Sequence, residues 1–228
     1  MFIPLAERAG IIGRLGNSVL QEACRQIRDW QSRFPSEQPL SVSVNVSARQ
    51  IHDGRLAERV ADILDETGLA PAHLKLELTE STMMLDTDAA DATLRDLADL
   101  GVGILVDDFG TGFSALHYFK RLHPQGLKID RSFVHGIGRS RSDTAIISAA
   151  IAFARALDLT VTAEGIENDE QLRRLRELGC DLGQGFHLAR PLSADMLEGL
   201  LREMPRTPAR ARTAQRRMLL EPPAFAAS

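Results

Sequence analysis

Short runs of β-branched and apolar residues alternate along this chain with longer stretches in which apolar positions recur every three or four residues. Short apolar runs suit buried strands and a 3.6-residue period buries one stripe of a helix, so the alternation predicts a parallel sheet with helical crossovers. Six strands are predicted, at 41–46, 74–78, 103–106, 127–129, 160–163 and 181–184. Helices are predicted at 16–33, 55–67, 89–100, 143–157 and 170–178, with a last one at 194–202. Gly68, Gly101 and Gly179 follow at or near the ends of three of them, where a left-handed cap favours glycine.

Periodicity stops near residue 203. The stretch 203–228 holds Pro205, Pro208 and five arginines, which reads as a disordered, solvated tail. A closed barrel of eight strand–helix units takes about 250 residues. The 202 residues ahead of the tail fall about 48 short of that length, and six strands fall two short of eight. The expected fold class is α/β, a TIM-type (β/α)8 barrel with six of its eight strands present in residues 1–202.

Composition narrows the functional classes. At 44% hydrophobic and 25% charged residues, the chain suits one soluble globular domain rather than a fibrous or disordered one. A net charge of −4 offers no basic surface for a polyanion, so DNA is not an expected partner, and a nucleotide has to be held by local groups. Cys24 and Cys180 are too few for a disulfide framework and lack metal-knuckle spacing. They read as buried thiols of a cytoplasmic, reducing compartment. The N-terminus lacks a basic region followed by an apolar stretch, and the longest apolar run, near 145–154, is too short to span a bilayer.

Polar residues collect toward the C-terminal ends of the predicted strands: Asn45, Glu77, the pair Asp107 and Asp108, Lys128, Glu164 and Gln184. In a parallel barrel all such ends open on one face. Singly, each has a plain structural reading: Asn45 caps a loop, Glu77 pairs with Lys75 or an arginine, and the two aspartates start a turn. Together, six successive strand ends point to a site. Clustered carboxylates raise one another's pKa unless cations neutralise them. Oxygen ligands without cysteine or histidine favour Mg²⁺ or Mn²⁺ over zinc. Two such ions about 3.5–4 Å apart activate a water and stabilise the leaving oxygen in phosphodiester hydrolysis. Adjacent aspartates can serve both ions, one of them bridging, while Lys128 can orient the water and offset phosphate charge. The same set also suits another metal-dependent barrel enzyme, such as an enolase-like lyase with a lysine base.

The order of the motifs is informative. Phe2-Ile3-Pro4-Leu5-Ala6-Glu7, Asn45-Val46-Ser47-Ala48-Arg49-Gln50, Glu77-Leu78-Thr79-Glu80 and Asp107-Asp108-Phe109-Gly110-Thr111-Gly112-Phe113 come first. Leu127-Lys128-Ile129-Asp130-Arg131-Ser132-Phe133, Ala163-Glu164-Gly165-Ile166-Glu167, and Gln184-Gly185-Phe186 with Arg190-Pro191-Leu192 follow. From Phe2 to about Leu200 this series resembles the EAL-domain phosphodiesterases. The resemblance implies a barrel that hydrolyses one 3′–5′ phosphodiester bond of cyclic di-GMP to give pGpG, with two Mg²⁺ or Mn²⁺ ions. It implies Asn45, Glu77 and Asp107 as ligands of the first metal, with Asp107 bridging, and Asp108 as a ligand of the second. Glu164 completes that second site or serves it through water. Lys128 resembles the water-positioning lysine, and Gln184 the glutamine that hydrogen-bonds near the nucleophile. Glu80 and Glu167 resemble supporting groups, Glu80 as the anchor of the 107–113 loop that couples the metal site to dimer contacts.

One departure from the family pattern stands out. The name-giving Glu-Ala-Leu motif, with its metal-ligating glutamate and a phosphate-holding arginine, lies upstream of the motif that here begins at Phe2. The resemblance therefore implies an incomplete barrel with impaired activity in this chain. Phe113, where tyrosine is common, and the segment His123-Pro124-Gln125-Gly126 are minor changes. Cyclic di-GMP is the expected partner. The resemblance also leaves room for a homodimer and for an upstream sensor or GGDEF-type domain in a longer parent. A non-catalytic EAL module that binds cyclic di-GMP or a partner protein is the alternative function.

Overall fold

The computed structural model describes residues 3–83, 87–112, 119 and 122–203. Its strands are β1 (Val42–Asn45), β2 (Leu74–Thr79), β3 (Gly103–Phe109), β4 (Gly126–Ile129), β5 (Thr160–Ala163) and β6 (Leu182–Gly183). Sheet order follows chain order from β1 to β6. The pairs β1–β2, β4–β5 and β5–β6 are parallel, a geometry that requires the intervening helical crossovers. Each predicted strand segment holds a strand, and β3 runs on through Asp107 and Asp108 to Phe109.

The described residues form two compact units. One comprises the residues up to Val106 together with those of 112–124, the other Asp107–Thr111 and those from Gln125 on. In the first, the helix Ile12–Arg33 buries Leu20, Cys24, Ile27 and Trp30, and Leu56–Thr67 buries Leu56, Val60, Ile63 and Leu64. Three- and four-residue spacing puts each set on one helical stripe. Burial of each such side chain contributes roughly 1.5–3 kcal/mol, an upper estimate because the unfolded chain is itself partly collapsed. Leu56–Thr67 ends at Gly68, whose φ of 66° a side chain would oppose.

The Ile12–Arg33 helix starts four residues before its predicted position at Gly16. Gly16 lies inside it because a Cβ there would stand 2.4 Å from Gln50 Nε2. Gln50 is buried, and its Oε1 accepts the Ser47 N–H at 3.2 Å while Ser47 Oγ accepts the Gln50 N–H at 3.4 Å. This reciprocal cap opens the short helix Ala48–His52 just past β1.

In the second unit every residue of β4 is buried. The helix Arg141–Ala156 supplies Ile147, Ala150, Ile151 and Ala154 to that core, and Ser140 caps it by accepting the Asp143 N–H at 3.2 Å. Asn168 caps Asp169–Leu178 in the same way. Cys24 and Cys180 are buried free thiols, and burial raises their pKa values to about 11 and about 12. Glu203, read from sequence as the first residue of the tail, ends the helix Ala194–Glu203. The rest of that stretch, with Phe2 and Phe113, lies outside the described residues. Among the described residues no helix is long and apolar enough to cross a membrane.

Candidate functional site

The predicted site residues fall into two groups. In the first unit, Asn45 ends β1 and stands in register with Glu77 of β2, and the ladder continues through Val46 N–H to the Glu77 carbonyl at 2.9 Å. The Glu77 side chain is buried. Glu80 opens the helix Glu80–Met83 directly after β2 and is 3% exposed; its Oε2 accepts the Gly112 N–H at 3.2 Å. A Cβ on Gly112 would lie 3.1 Å from Glu80 Cδ, so the glycine admits the carboxylate to the backbone.

The second unit brings four predicted residues together. One ligand atom each from Asp107, Asp108 and Glu164 lies within 4.8 Å of the others. Lys128 Nζ stands 3.3 Å from Asp107 Oδ1 and 2.5 Å from Glu164 Oε1. The lysine sits in a wholly buried strand, where an ammonium group persists only if carboxylates pair with it.

Local backbone features aim these groups. Asp108 has a left-handed φ of 54°, which costs a non-glycine residue about 1–3 kcal/mol and persists only where neighbours over-determine it. Here they do. Its N–H donates to Asp107 Oδ1 at 3.0 Å, and its carbonyl accepts Thr111 N–H at 3.2 Å and Thr111 Oγ1 at 2.8 Å. Gly110, at φ 96°, leaves space for the Phe133 ring, since a Cβ there would stand 2.9 Å from Phe133 Cε2. Glu164 follows β5, and its N–H donates to the Ile129 carbonyl at 3.1 Å.

Burial pushes the Asp108 carboxyl above its ordinary pKa. The Asp107 and Asp130 charges and a hydrogen bond with Asp130 add to that rise, and Lys128 partly offsets it. Asp130 is thus a member of the cluster to which sequence reasoning assigned no role. The signal was its place two residues past Lys128, in the cap of the helix Arg131–Gly136, where its Oδ1 accepts the Ser132 N–H at 3.0 Å. Gln184 lies alongside the β5 end, its N–H donating to the Ala163 carbonyl at 2.8 Å and its carbonyl accepting the Ile166 N–H at 3.0 Å. Glu167 is exposed and faces His135 Nδ1 at 3.9 Å.

Two cavities in the first unit, of about 370 Å³ beside Arg28 and Phe34 and about 320 Å³ beside Gly10 and Arg49, contain no such cluster. Carboxylate geometry rather than volume marks the site.

Residues 1–191 match the EAL domain family. The chain belongs to that family. It is 45% identical over 196 residues to the bifunctional diguanylate cyclase/cyclic di-GMP phosphodiesterase MucR of Pseudomonas aeruginosa, covering 86% of this chain and 28% of MucR. It is 42% identical over 201 residues to the cyclic di-GMP phosphodiesterase NbdA of the same organism, covering 88% of this chain and 25% of NbdA. The chain therefore spans about a quarter of the length of these curated relatives. The solved structure of the PaMucR phosphodiesterase in its c-di-GMP complex superposes with a TM-score of 0.81 at 45% identity, over 86% of this chain and 78% of that one. The EAL domain of Mycobacterium smegmatis DcpA gives 0.78 at 37% identity, over 86% and 87%. These likenesses establish the TIM-type EAL fold, with its parallel strands and helical crossovers.

Proposed function

We propose that this EAL domain is a cyclic di-GMP phosphodiesterase module that cleaves one 3′–5′ phosphodiester bond to give pGpG by two-metal catalysis. The observation that carries the reading is the convergence of Asp107, Asp108 and Glu164 within 4.8 Å, with the Lys128 ammonium beside two of them. An all-oxygen donor set fits Mg²⁺ or Mn²⁺. Asn45, Glu77 and Asp107 would hold one ion and Asp108 with Glu164 the other, Asp107 bridging. When bound, the ions activate a water and neutralise phosphate charge. Lys128 orients that water and offsets the charge growing on the phosphate oxygens. Gln184 hydrogen-bonds near the nucleophile, Glu80 holds the 107–113 loop, and Glu167 supports the site from the surface. The homodimer and the upstream sensor or GGDEF-type domain belong to the same proposal.

The test is a hydrolysis assay with Mn²⁺ that separates cyclic di-GMP from pGpG. It is run on residues 1–228 and on the same residues extended upstream by a Glu-Ala-Leu-containing segment. In a polypeptide limited to residues 1–228 low turnover is expected, since one carboxylate of the first metal and the phosphate-holding arginine are supplied by that segment. Among the described residues β1 and β6 are the outer strands of the sheet, and such edges favour association. Binding of cyclic di-GMP without pGpG formation in the extended form would assign the domain to the non-catalytic class. Equal turnover and equal melting of the two forms would remove the upstream segment from the chemistry.

A further inference from the structure

Two of the strand ends that carry proposed metal ligands run on into loops that are held alike. Past Asn45, the Val46 N–H extends the ladder to the Glu77 carbonyl, and the next N–H, of Ser47, donates to Gln50 Oε1 at 3.2 Å, joined by Ser47 Oγ at 3.0 Å. Past Glu164, the Ile166 N–H donates to the Gln184 carbonyl at 3.0 Å, and the Glu167 N–H donates to Gln171 Oε1 at 2.7 Å. Gln50 and Gln171 are each 5% exposed, and among the described residues no other glutamine is buried. Each is the third residue of the helix that follows, Ala48–His52 or Asp169–Leu178. The N–H of each is taken in turn by the cap residue, Ser47 Oγ at 3.4 Å and Asn168 Oδ1 at 3.0 Å.

An N–H donor requires the amide oxygen, so the orientation of both carboxamides is fixed. A buried acceptor holds a loop N–H more firmly than water does, and losing it leaves the donor unmet. Hydrogen bonds that hold a ligand-bearing segment set where the ligand atom stands, and so contribute to metal affinity. Helix capping alone does not call for this arrangement. Arg141–Ala156 and Asp88–Asp99 are capped by Ser140 and Thr87, with Asp143 and Ala90 as their third residues, and neither helix opens directly from a strand.

We infer that Gln171 and Gln50 are positioning residues of the proposed metal centre, Gln171 fixing the backbone that carries Glu164 and Gln50 the backbone that carries Asn45. This inference rests on the two-metal reading. Both act through a loop N–H and neither serves as a ligand.

The experiment compares the parent with Gln171→Leu, Gln171→Glu, Gln171→Asn and Ser140→Ala, in the form of the protein that turns over cyclic di-GMP. Mn²⁺ affinity, KM, kcat, melting in EDTA and hydrogen exchange of the Glu167 amide in metal-free protein are measured for each. Gln171→Leu is expected to speed that exchange and to weaken Mn²⁺ binding about tenfold or more, the scale of a lost supporting hydrogen bond. At limiting Mn²⁺ kcat falls in parallel, while KM for cyclic di-GMP holds. Gln171→Glu keeps an acceptor at the same reach and restores Mn²⁺ affinity to within about threefold of the parent. Ser140→Ala loses a helix cap away from the ligands, so its melting falls with Mn²⁺ affinity unchanged. Gln50→Leu and Gln50→Glu repeat the comparison at Asn45, with the same order expected.

A Gln171→Leu protein that melts below the parent yet binds Mn²⁺ equally well has lost only a cap, which overturns the positioning role and leaves the phosphodiesterase reading intact. So does a Gln171→Glu protein that binds Mn²⁺ no better than Gln171→Leu. If the leucine variant does not fold, Gln171→Asn decides, because it withdraws the acceptor by one methylene, and parental Mn²⁺ affinity in it overturns the role. A parent that neither binds Mn²⁺ nor hydrolyses cyclic di-GMP overturns both readings.

Discussion

Lys128 Nζ lies 2.5 Å from Glu164 Oε1, an ion pair whose side chains are only 7% and 19% exposed. Replacing Lys128 with methionine leaves the Asp107, Asp108 and Glu164 carboxylates together without their cation. Removing one partner of a buried pair costs about 3–5 kcal/mol, and the partial exposure of Glu164 brings the expected loss toward about 2–3 kcal/mol. Lys128→Met should therefore lower the melting temperature in EDTA, with much of the loss recovered in Mn²⁺. Turnover should fall more than substrate binding weakens, because the ammonium acts on charge that develops in the transition state. Equal melting of parent and variant in EDTA would show the ion pair to be unimportant.

The carboxylates themselves give a sharper test. Asp107→Asn, Glu77→Gln and Glu164→Gln each keep shape while removing a charge, so one ion loses a charged ligand. Each is expected to cut hydrolysis by about a hundredfold or more with little change in fold, because two-ion activation needs both metals. A variant with activity within about twofold of the parent removes that residue from the site.

Metal substitution separates all-oxygen two-ion chemistry from a looser binding site. Mg²⁺ and Mn²⁺ should support turnover, whereas Ca²⁺, with longer bonds and a less regular shell, should suppress it while still allowing substrate to bind. Comparable rates with Ca²⁺ would contradict the two-ion reading.

Asp108 offers a pH test. Burial, the Asp107 and Asp130 charges and the Asp130 hydrogen bond raise its folded pKa above the unfolded value. A raised carboxyl binds its proton more tightly in the folded state, so its contribution to metal-free stability is present at low pH and is lost as pH rises through the folded pKa. In EDTA, the melting temperature of Asp108→Asn relative to the parent should therefore rise with pH through that range. Asparagine also tolerates the left-handed φ of 54° at this position, an effect that does not vary with pH and so sets only the baseline. Mn²⁺ affinity of the parent should increase over the same range as the carboxyl ionises. A stability difference independent of pH would show that Asp108 titrates normally.

Much of the fold was readable residue by residue. The runs at 42–45, 74–79 and 160–163 are short, apolar or β-branched and flanked by helical periodicity, and all three are strands. The short helices Ala48–His52, Glu80–Met83 and Arg131–Gly136 were not assigned, because four to six residues cannot display a 3.6-residue period. Capping signals at Ser47 with Gln50, and at Asp130, marked two of them. The start of Ile12–Arg33 was placed four residues late, at Gly16, which in the fold lies inside the helix and makes space for Gln50.

By itself, then, the sequence determined the alternation of strands and helices, the placing of Asn45, Glu77, Asp107, Asp108, Lys128, Glu164 and Gln184 near strand ends, and the ordered motifs of the EAL family. Those features are periodicity and spacing, which are local along the chain. Only the tertiary structure decided that the Lys128 ammonium stands between Asp107 and Glu164, that Asp130 stands near enough to Asp108 to raise its pKa, and that Glu80 reaches the Gly112 backbone. It also decided that Glu167 faces solvent and His135. Each of these depends on side-chain direction and burial. They follow from which segments pack together, and contacts between residues 21, 32 or 36 positions apart leave no periodic trace in the sequence.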